Sequence, residues 1–373
     1  MVKNILVISY GIREFDGRLK EIIKSCEQVT KTKILCLTEQ NHWKNDNFQY
    51  IDIKNRNYLS FTLYWDFFKT AFKLFRKSRK KNKNLVVFID NFYAAPVGFL
   101  IKIFYPKTVV IQDCRELYFA KDMPKFGKLF CILEEKLMKK AKLVFCANKY
   151  RSKIMKERFR LKSYPVVFDN IRLLDSSQKS ENISEKYVND FKYQWNVVSS
   201  GGYSLGRKTE ELIRDFDKLD HDKYGLYIVG NGSESDKLKL DTIIREKNIK
   251  NIHFIDRVSM NELKYIVDKC QIGVVSYHQR DLNNEYCSSG KIYEYMGEGL
   301  PVITTENIPL VEFCEKNKVG ASNNEFDKSL IDVSMNYNYY KQNVDNFMNN
   351  LSISDNNNSM ANEIEEAINI IER

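Results

Sequence analysis

No two of the eight cysteines, Cys26, Cys36, Cys114, Cys131, Cys146, Cys270, Cys287 and Cys314, form a Cys-x-x-Cys pair. That absence excludes zinc-ribbon and dithiol redox spacings. The apolar neighbours of most of these thiols predict reduced, buried side chains in a cytoplasmic protein. Only four histidines are present, His42, His221, His253 and His278, which leaves little for imidazole acid–base or metal chemistry. Prolines number six and there is no low-complexity core, so the composition is that of a folded, soluble chain. A long apolar run is missing too. The most apolar segment, Ala94 to Ile111, is interrupted by Lys102, Pro106 and Lys107, which excludes a membrane span. Met1-Val2-Lys3 leads straight into the apolar run Ile5 to Ile8, so no signal peptide is expected. Repeats of solenoid length are also absent.

What is present is length, charge and alternation. A chain of 373 residues exceeds one ordinary core and suits two domains. A net charge of +10, densest from Lys69 to Asn84, asks for an anionic partner: nucleic acid, a lipid surface or a phosphorylated small molecule. Recognition-helix, RNP-like and zinc patterns are all missing, which excludes the common nucleic-acid modules. Strand candidates in the first half are Ile5–Ile8, Ile34–Leu37, Leu85–Ile89, Thr108–Ile111 and Leu143–Cys146. In the second half they are Asn196–Ser199, Leu226–Val229, Ile252–Ile255, Ile272–Ser276 and Val302–Thr304. Helical patterns separate most of them, among them Thr209–Leu219 and Ser259–Cys270, the latter opened by the capping box Ser259-x-x-Glu262. Strands alternating with helices predict an α/β chain of parallel, doubly wound sheets. We divide it into a first Rossmann-like domain over 1–172, a polar linker over 173–192, a second Rossmann-like domain over 193–352 and a C-terminal helix over 353–373 that crosses back. A cleft between the two domains would hold the ligands, which in such sheets bind beyond the carboxyl ends of the strands.

The residues after the second-half strands are suited to phosphate. Gly201 and Gly202 follow the first strand, with Arg207 and Lys208 at the next helix start. Gly230 and Gly232 follow the second, Arg257 the third, and Tyr277 and His278 the fourth. Next comes the stretch CSSGKIYEYMGEGLPVITT, Cys287 to Thr305, read as a short helix with Ser288, Ser289 and Gly290 at its mouth. Gly299 and Pro301 end it before the next strand. Free backbone N–H groups of glycine turns and the cations Arg207 or Lys208 suit a diphosphate. Glu294 suits a pair of ribose hydroxyls, with Lys291 on the same face. The plain alternatives are a surface Lys291–Glu294 ion pair and ordinary strand-to-helix turns.

In this order, SSGGYSLGRKTEELI, GLYIVGNGSESDKL, NIHFIDRVSMNEL, CQIGVVSYH and SSGKIYEYMGEGLPVI resemble the donor domain of family 4 retaining glycosyltransferases (glycosyl transferases group 1), which have the GT-B fold. The first half resembles the family more loosely, through FDGRLKEI, VVIQDCRELY and VFDNIRL. The resemblance implies transfer of a sugar from a nucleotide-diphosphate sugar, UDP-linked foremost, to a glycan or lipid-linked acceptor of the bacterial surface. It implies Glu294 on the donor ribose, Arg207 and Lys208 on the diphosphate, and the mouth 288–291 on phosphate or sugar. Gly11, Asp16, Arg18, Asp113, Arg115 and Glu116 would stand on the acceptor side. No cofactor and no metal are expected, because the cations come from Arg and Lys. Asp220-His221-Asp222 fits a metal-binding formula but precedes a strand and reads as a solvated turn. The chain departs from the family pattern at Gly201 or Gly202, where an Arg is usual, at Tyr286, where a Glu is usual, and at Arg115, where a His is common. These departures keep open a non-catalytic GT-B partner subunit. A sugar-nucleotide epimerase would want more carboxylates around the sugar than Glu294. Finally, Phe61, Trp65, Phe68, Phe72 and Phe75 recur at helical spacing among lysines over 59–81. Such a helix either lies on an anionic membrane or packs its aromatics on the sheet.

Overall fold

The computed structural model describes residues 4–39, 47–54, 56–174 and 183–369. His42 therefore lies outside the described residues, as do 175–182 of the expected linker and the last four of the C-terminal helix. The chain divides into two compact units. One is Met1–Ile171 with Ser352–Arg373, the other Arg172–Leu351.

The first unit is built on a sheet of β1 (Ile5–Ile12), β2 (Thr32–Thr38), β3 (Phe48–Asp52), β4 (Val86–Asp90), β5 (Val109–Cys114), β6 (Leu143–Cys146) and β7 (Val166–Val167). The strands are parallel, in the order β3-β2-β1-β4-β5-β6-β7. Both faces are apolar because alternate residues of each central strand feed different cores. Leu6, Ile8, Val87 and Ile89 pack with Leu63, Phe67, Ala71 and Leu74 of the helix Phe61–Lys81. Ile5, Val7, Val86 and Phe88 pack with Leu19 and Ile22 of the helix Gly17–Val29, and with Met360, Ile364 and Ile368 of the C-terminal helix Ile353–Asn369. That last trio recurs every four residues, so one stripe enters the first unit's core. Asn357 ties it further by donating to Glu21 Oε2 at 2.6 Å.

The second unit's sheet has β8 (Trp195–Ser200), β9 (Tyr224–Val229), β10 (Ile252–Ile255), β11 (Ile272–Val275), β12 (Val302–Thr304) and β13 (Gly320–Ser322). These are parallel in the order β10-β9-β8-β11-β12-β13. From residue 183 onward the stretch expected as linker packs on this unit. Tyr187 is buried and donates to Glu262 Oε1 at 2.6 Å, and the Phe191 N–H donates to the Tyr227 hydroxyl at 2.7 Å.

The sequence placed ten strands where ten occur, and missed β3, β7 and β13. In the helix at 61–81 the aromatic stripe divides, and Phe68 and Phe72 pack against the core beside the buried Phe75. Leu63, Phe67, Ala71, Leu74 and Phe75 face the core, whereas Phe61 and Trp65 face solvent. All eight cysteines are buried as thiols, with no disulfide among the described residues. Among the described residues no helix is long and apolar enough to cross a membrane.

Candidate functional site

The glycine turns of the second unit are tied into one rim. Gly201, Gly202 and Gly230 have φ of +87°, +85° and +112°, a region that penalises any Cβ. A Cβ on Gly202 would also stand 2.2 Å from the Asn231 carbonyl oxygen. The loop after β8 is pinned to β9 by Gly202 N–H donating to Val229 O at 2.9 Å, and the loop after β9 to β10 by Gly230 N–H donating to Ile255 O at 2.8 Å. Asn231 Oδ1 accepts from the Arg257 N–H at 2.9 Å, and Gly232 packs flat on Tyr203, which a Cβ would meet at 2.4 Å. On the other side Ser276 Oγ donates to Arg207 O at 2.9 Å, and the Tyr277 N–H donates to Thr305 Oγ1 at 3.0 Å. The ends of β8 to β12 are thereby joined by hydrogen bonds.

The short helix Lys291–Gly297 stops as the sequence predicts. Gly299 takes φ of +78°, its N–H donates to Met296 O at 2.9 Å, and Leu300 N–H donates to Tyr295 O at 3.1 Å. Tyr295 anchors the helix to β8, accepting from Ser200 N–H at 2.8 Å and pairing with Ser200 Oγ at 2.9 Å. Glu294 is buried and forms an ion pair with Arg172 Nε at 2.7 Å. The same arginine covers Gly290, where a Cβ would stand 2.4 Å from its Nε. Ser288 is partly buried, while Ser289 is buried with its Oγ unpartnered.

Lys291 reaches back over Gly201: a Cβ there would lie 2.7 Å from both its Cε and its Nζ, and 3.6 Å from Arg207 NH1. Arg207 donates from NH1 to Gly201 O at 2.6 Å. Burial, with Arg207 beside it, pushes the Lys291 ammonium down to about 7. Lys208 goes elsewhere. Its backbone is left-handed, with φ of +57°, and its Nζ donates to Asn324 Oδ1 at 2.7 Å. At the departures, Tyr286 and Glu285 flank the mouth, and burial raises the Glu285 carboxyl. His278 stands 3.5 Å from Asp281. Asp220-His221-Asp222 is a turn before β9, where the Asp222 N–H donates to Asp220 Oδ1 at 3.1 Å. Among the described residues no group of three His, Cys, Asp or Glu is placed to hold a metal ion.

Acceptor-side residues expected from the first half also meet, within the first unit and largely on one another. Asp16 caps the helix Gly17–Val29 by accepting from the Leu19 N–H at 2.9 Å. It also takes two bonds from Arg115 NH1, at 2.7 and 2.6 Å. Gly11 is close because a Cβ there would sit 2.2 Å from Asp16 Oδ2. Arg18 is buried in a bidentate pair with Asp113, at 2.8 and 2.6 Å. Arg115 donates from Nε to Asp90 Oδ1 at 2.7 Å, and Ser9 Oγ donates to Asp90 Oδ2 at 2.6 Å. Burial outweighs Arg115 and raises Asp90 to about 6. Glu116 receives Arg151 NH2 at 3.3 Å. A buried Glu134, raised to about 8 by burial and by Glu116, lies near the same loop.

The sequence reading missed Arg172, Asn231, Asp90 and Arg151. Arg172 lies inside VFDNIRL and Asn231 inside GLYIVGNGSESDKL, so both belong to segments that carry the resemblance. Asp90 ends β4, one residue beyond the expected Leu85–Ile89, and Arg151 carries no local signal.

Residues 197–331 match the family model for glycosyl transferases group 1. No curated protein sequence matches significantly. Among solved structures the chain is similar to Anabaena HepE in complex with UDP-glucose, at 12% identity and a TM-score of 0.70 over 98% of this chain and 100% of that one. It is similar to sucrose-phosphate synthase from Thermosynechococcus elongatus, at 12% identity and a TM-score of 0.69 over 99% and 96% of the two chains. WaaG, a glycosyltransferase involved in lipopolysaccharide biosynthesis, aligns at 14% identity and a TM-score of 0.66 over 98% and 99%. The fold is GT-B.

Proposed function

We propose that this chain, a GT-B glycosyltransferase of group 1, transfers a sugar from a nucleoside-diphosphate sugar, a UDP-sugar foremost, with retention of configuration and without a metal ion. The observation that carries this reading is an excess of cations on a glycine-lined rim. Arg172, Arg207 and Lys291 converge beside one carboxylate, Glu294, which is paired with Arg172. A diphosphate supplies the missing negative charge, and Arg and Lys can stabilise it as it leaves, in the role a metal takes elsewhere. HepE, which holds UDP-glucose in its solved complex, supports UDP as the first donor to try.

Thermal-shift measurements with UDP, GDP, ADP, CMP, dTDP and their common sugars, in EDTA, test the reading. One nucleoside diphosphate should raise the melting temperature by mass action. No shift from any of them, or activity that EDTA abolishes and manganese restores, would overturn the corresponding part. Turnover of a nucleotide sugar separates an enzyme from a non-catalytic partner subunit.

For the acceptor we propose a glycan or lipid-linked sugar in bacterial cell-surface polysaccharide synthesis, met at the inner face of the membrane. The support lies in the first unit. Phe61 and Trp65 are 74% and 47% exposed, and Phe126, which opens the helix Lys125–Met138, is 81% exposed. The two helices touch through Tyr64 and Phe130, whose rings are 5.1 Å apart, and Tyr64 lies 5.7 Å from Tyr10, next to Gly11. Lys69, Lys73, Arg76, Lys77, Lys80, Lys81, Lys125 and Lys128, on the same two helices, are exposed as well. Aromatics at the acyl boundary with lysines over anionic headgroups is an interfacial pattern. Phe61→Ser with Trp65→Ser should reduce co-sedimentation with phosphatidylglycerol vesicles at least about fivefold while leaving turnover of a soluble acceptor analogue intact. Equal co-sedimentation of wild type and variant would remove this helix from the interface.

A further inference from the structure

Cations that converge in excess of the anions beside them repel one another, and loss of a proton from the weakest of them relieves that repulsion. Lys291 and Arg207 meet in this way over Gly201, as the 2.7 and 3.6 Å approaches to its missing Cβ describe. A guanidinium is in general a permanent cation, and Arg207 NH1 bonds a carbonyl, Gly201 O, and no carboxylate among the described residues. Lys291 has no hydrogen bond or ion pair among the described residues, although a neighbouring carboxylate, Glu294, is present on its own helix. That carboxylate is taken by Arg172, a third cation. The charged groups facing Lys291 are therefore Arg207 from the turn after β8, Arg172 from the segment after β7, and Glu294. Ser289, two residues ahead, adds a buried hydroxyl that lacks a partner. Glycine is needed at position 201 for the lysine to lie there at all, since any Cβ would collide with its Cε and Nζ.

We propose that the diphosphate binds between Lys291 and Arg207 and that its binding draws one proton from solvent onto the Lys291 amine. This rests on the nucleoside-diphosphate reading above. In the free protein burial and Arg207 hold the ammonium near 7. A bound dianion beside it reverses the balance and restores an ordinary, high value. The bound state then holds more protons than the free state above pH 7, so affinity falls as pH rises, at most about tenfold per pH unit. The terminal phosphate itself titrates at about 6, so at pH 8 it is already ionised and contributes little to the proton count.

Calorimetric titration of UDP, or of whichever nucleoside diphosphate shifts the melt, into the full chain at pH 8 decides the matter in two buffers of different ionisation enthalpy. Wild type should take up between about half and one proton per site. Lys291→Arg, always charged, should take up none and keep its affinity within about threefold from pH 6.5 to 8.5. Lys291→Met should bind about tenfold more weakly at pH 6.5, take up none, and melt no lower than wild type without ligand, because it removes a repulsion with Arg207. Binding by wild type without proton uptake, or uptake that persists in Lys291→Met, overturns the inference and leaves the donor site standing. Failure of every nucleoside diphosphate to bind overturns the donor reading and the inference with it.

Discussion

Glu294→Gln is expected to weaken UDP binding by about 10- to 100-fold while leaving pyrophosphate binding unchanged or tighter. A carboxylate only accepts; Arg172 takes one side of Glu294 at 2.7 Å, and in the proposed donor complex the other would serve two ribose hydroxyls. The glutamine amide keeps one acceptor and turns the second into a donor that meets a hydroxyl badly. Losing a hydrogen bond to a charged group costs about 1.5–3 kcal/mol, which sets the range. The phosphate end sees the opposite effect, because removing a negative charge beside Lys291 and Arg207 favours an anion. Comparing the two ligands therefore separates a ribose contact from general damage. Arg172 loses its partner in this variant, so the melting temperature should fall by a few degrees, and adding Arg172→Met should recover it. Equal UDP affinity in wild type and Glu294→Gln would end the ribose assignment.

Arg207→Ala should lower kcat by about 10²- to 10³-fold, the usual loss when one preorganised donor to developing charge is removed. The sequence placed Arg207 and Lys208 side by side as equal diphosphate ligands, but the fold sends them apart. Arg207 reaches Gly201 O beside Lys291, whereas Lys208 turns through a left-handed backbone to Asn324. Asn324 in turn donates to Glu306 Oε2 at 2.6 Å. Lys208→Ala should therefore stay within about threefold of wild-type kcat, and Lys208→Gly should melt slightly higher because a left-handed position favours glycine. Arg207 bonds the protein through one exposed contact, so its alanine variant should melt like wild type. Steady-state kinetics of both variants with the identified donor is the check. Equal losses would return Lys208 to the phosphate, and no loss in Arg207→Ala would move the charge stabilisation elsewhere.

Much of the second unit was legible because its signals are local. A glycine at a strand end, a serine three residues ahead of a glutamate, and Gly299 before Pro301 each act within a few residues. Edge strands were less legible. Gly320-Ala321-Ser322 and Val166-Val167 are strands only because β12 and β6 present hydrogen-bonding edges to them. The helix at 61–81 shows a different limit. Its sequence is aromatic on several faces, so periodicity alone left open which rings pack inside, and Phe67 and Phe75 are buried whereas Phe61 and Trp65 are exposed. The missed polar partners were distant in sequence. Arg115 lies 99 residues from Asp16 and 25 from Asp90, and no spacing rule spans such gaps.

By itself the sequence determined the α/β class, the parallel order of strand and helix, the glycine turns and many of the residues that follow the strands of the second unit. Those follow from backbone preference and apolar periodicity, which are properties of short segments. Which charges meet was decided by tertiary structure. Arg172 claims Glu294, Lys291 lies over Gly201 against Arg207, and Arg115 locks Asp16 and Asp90. Electrostatic pairing depends on distance and burial in three dimensions, and the sheet brings strand ends together without regard to how far apart they stand in the chain.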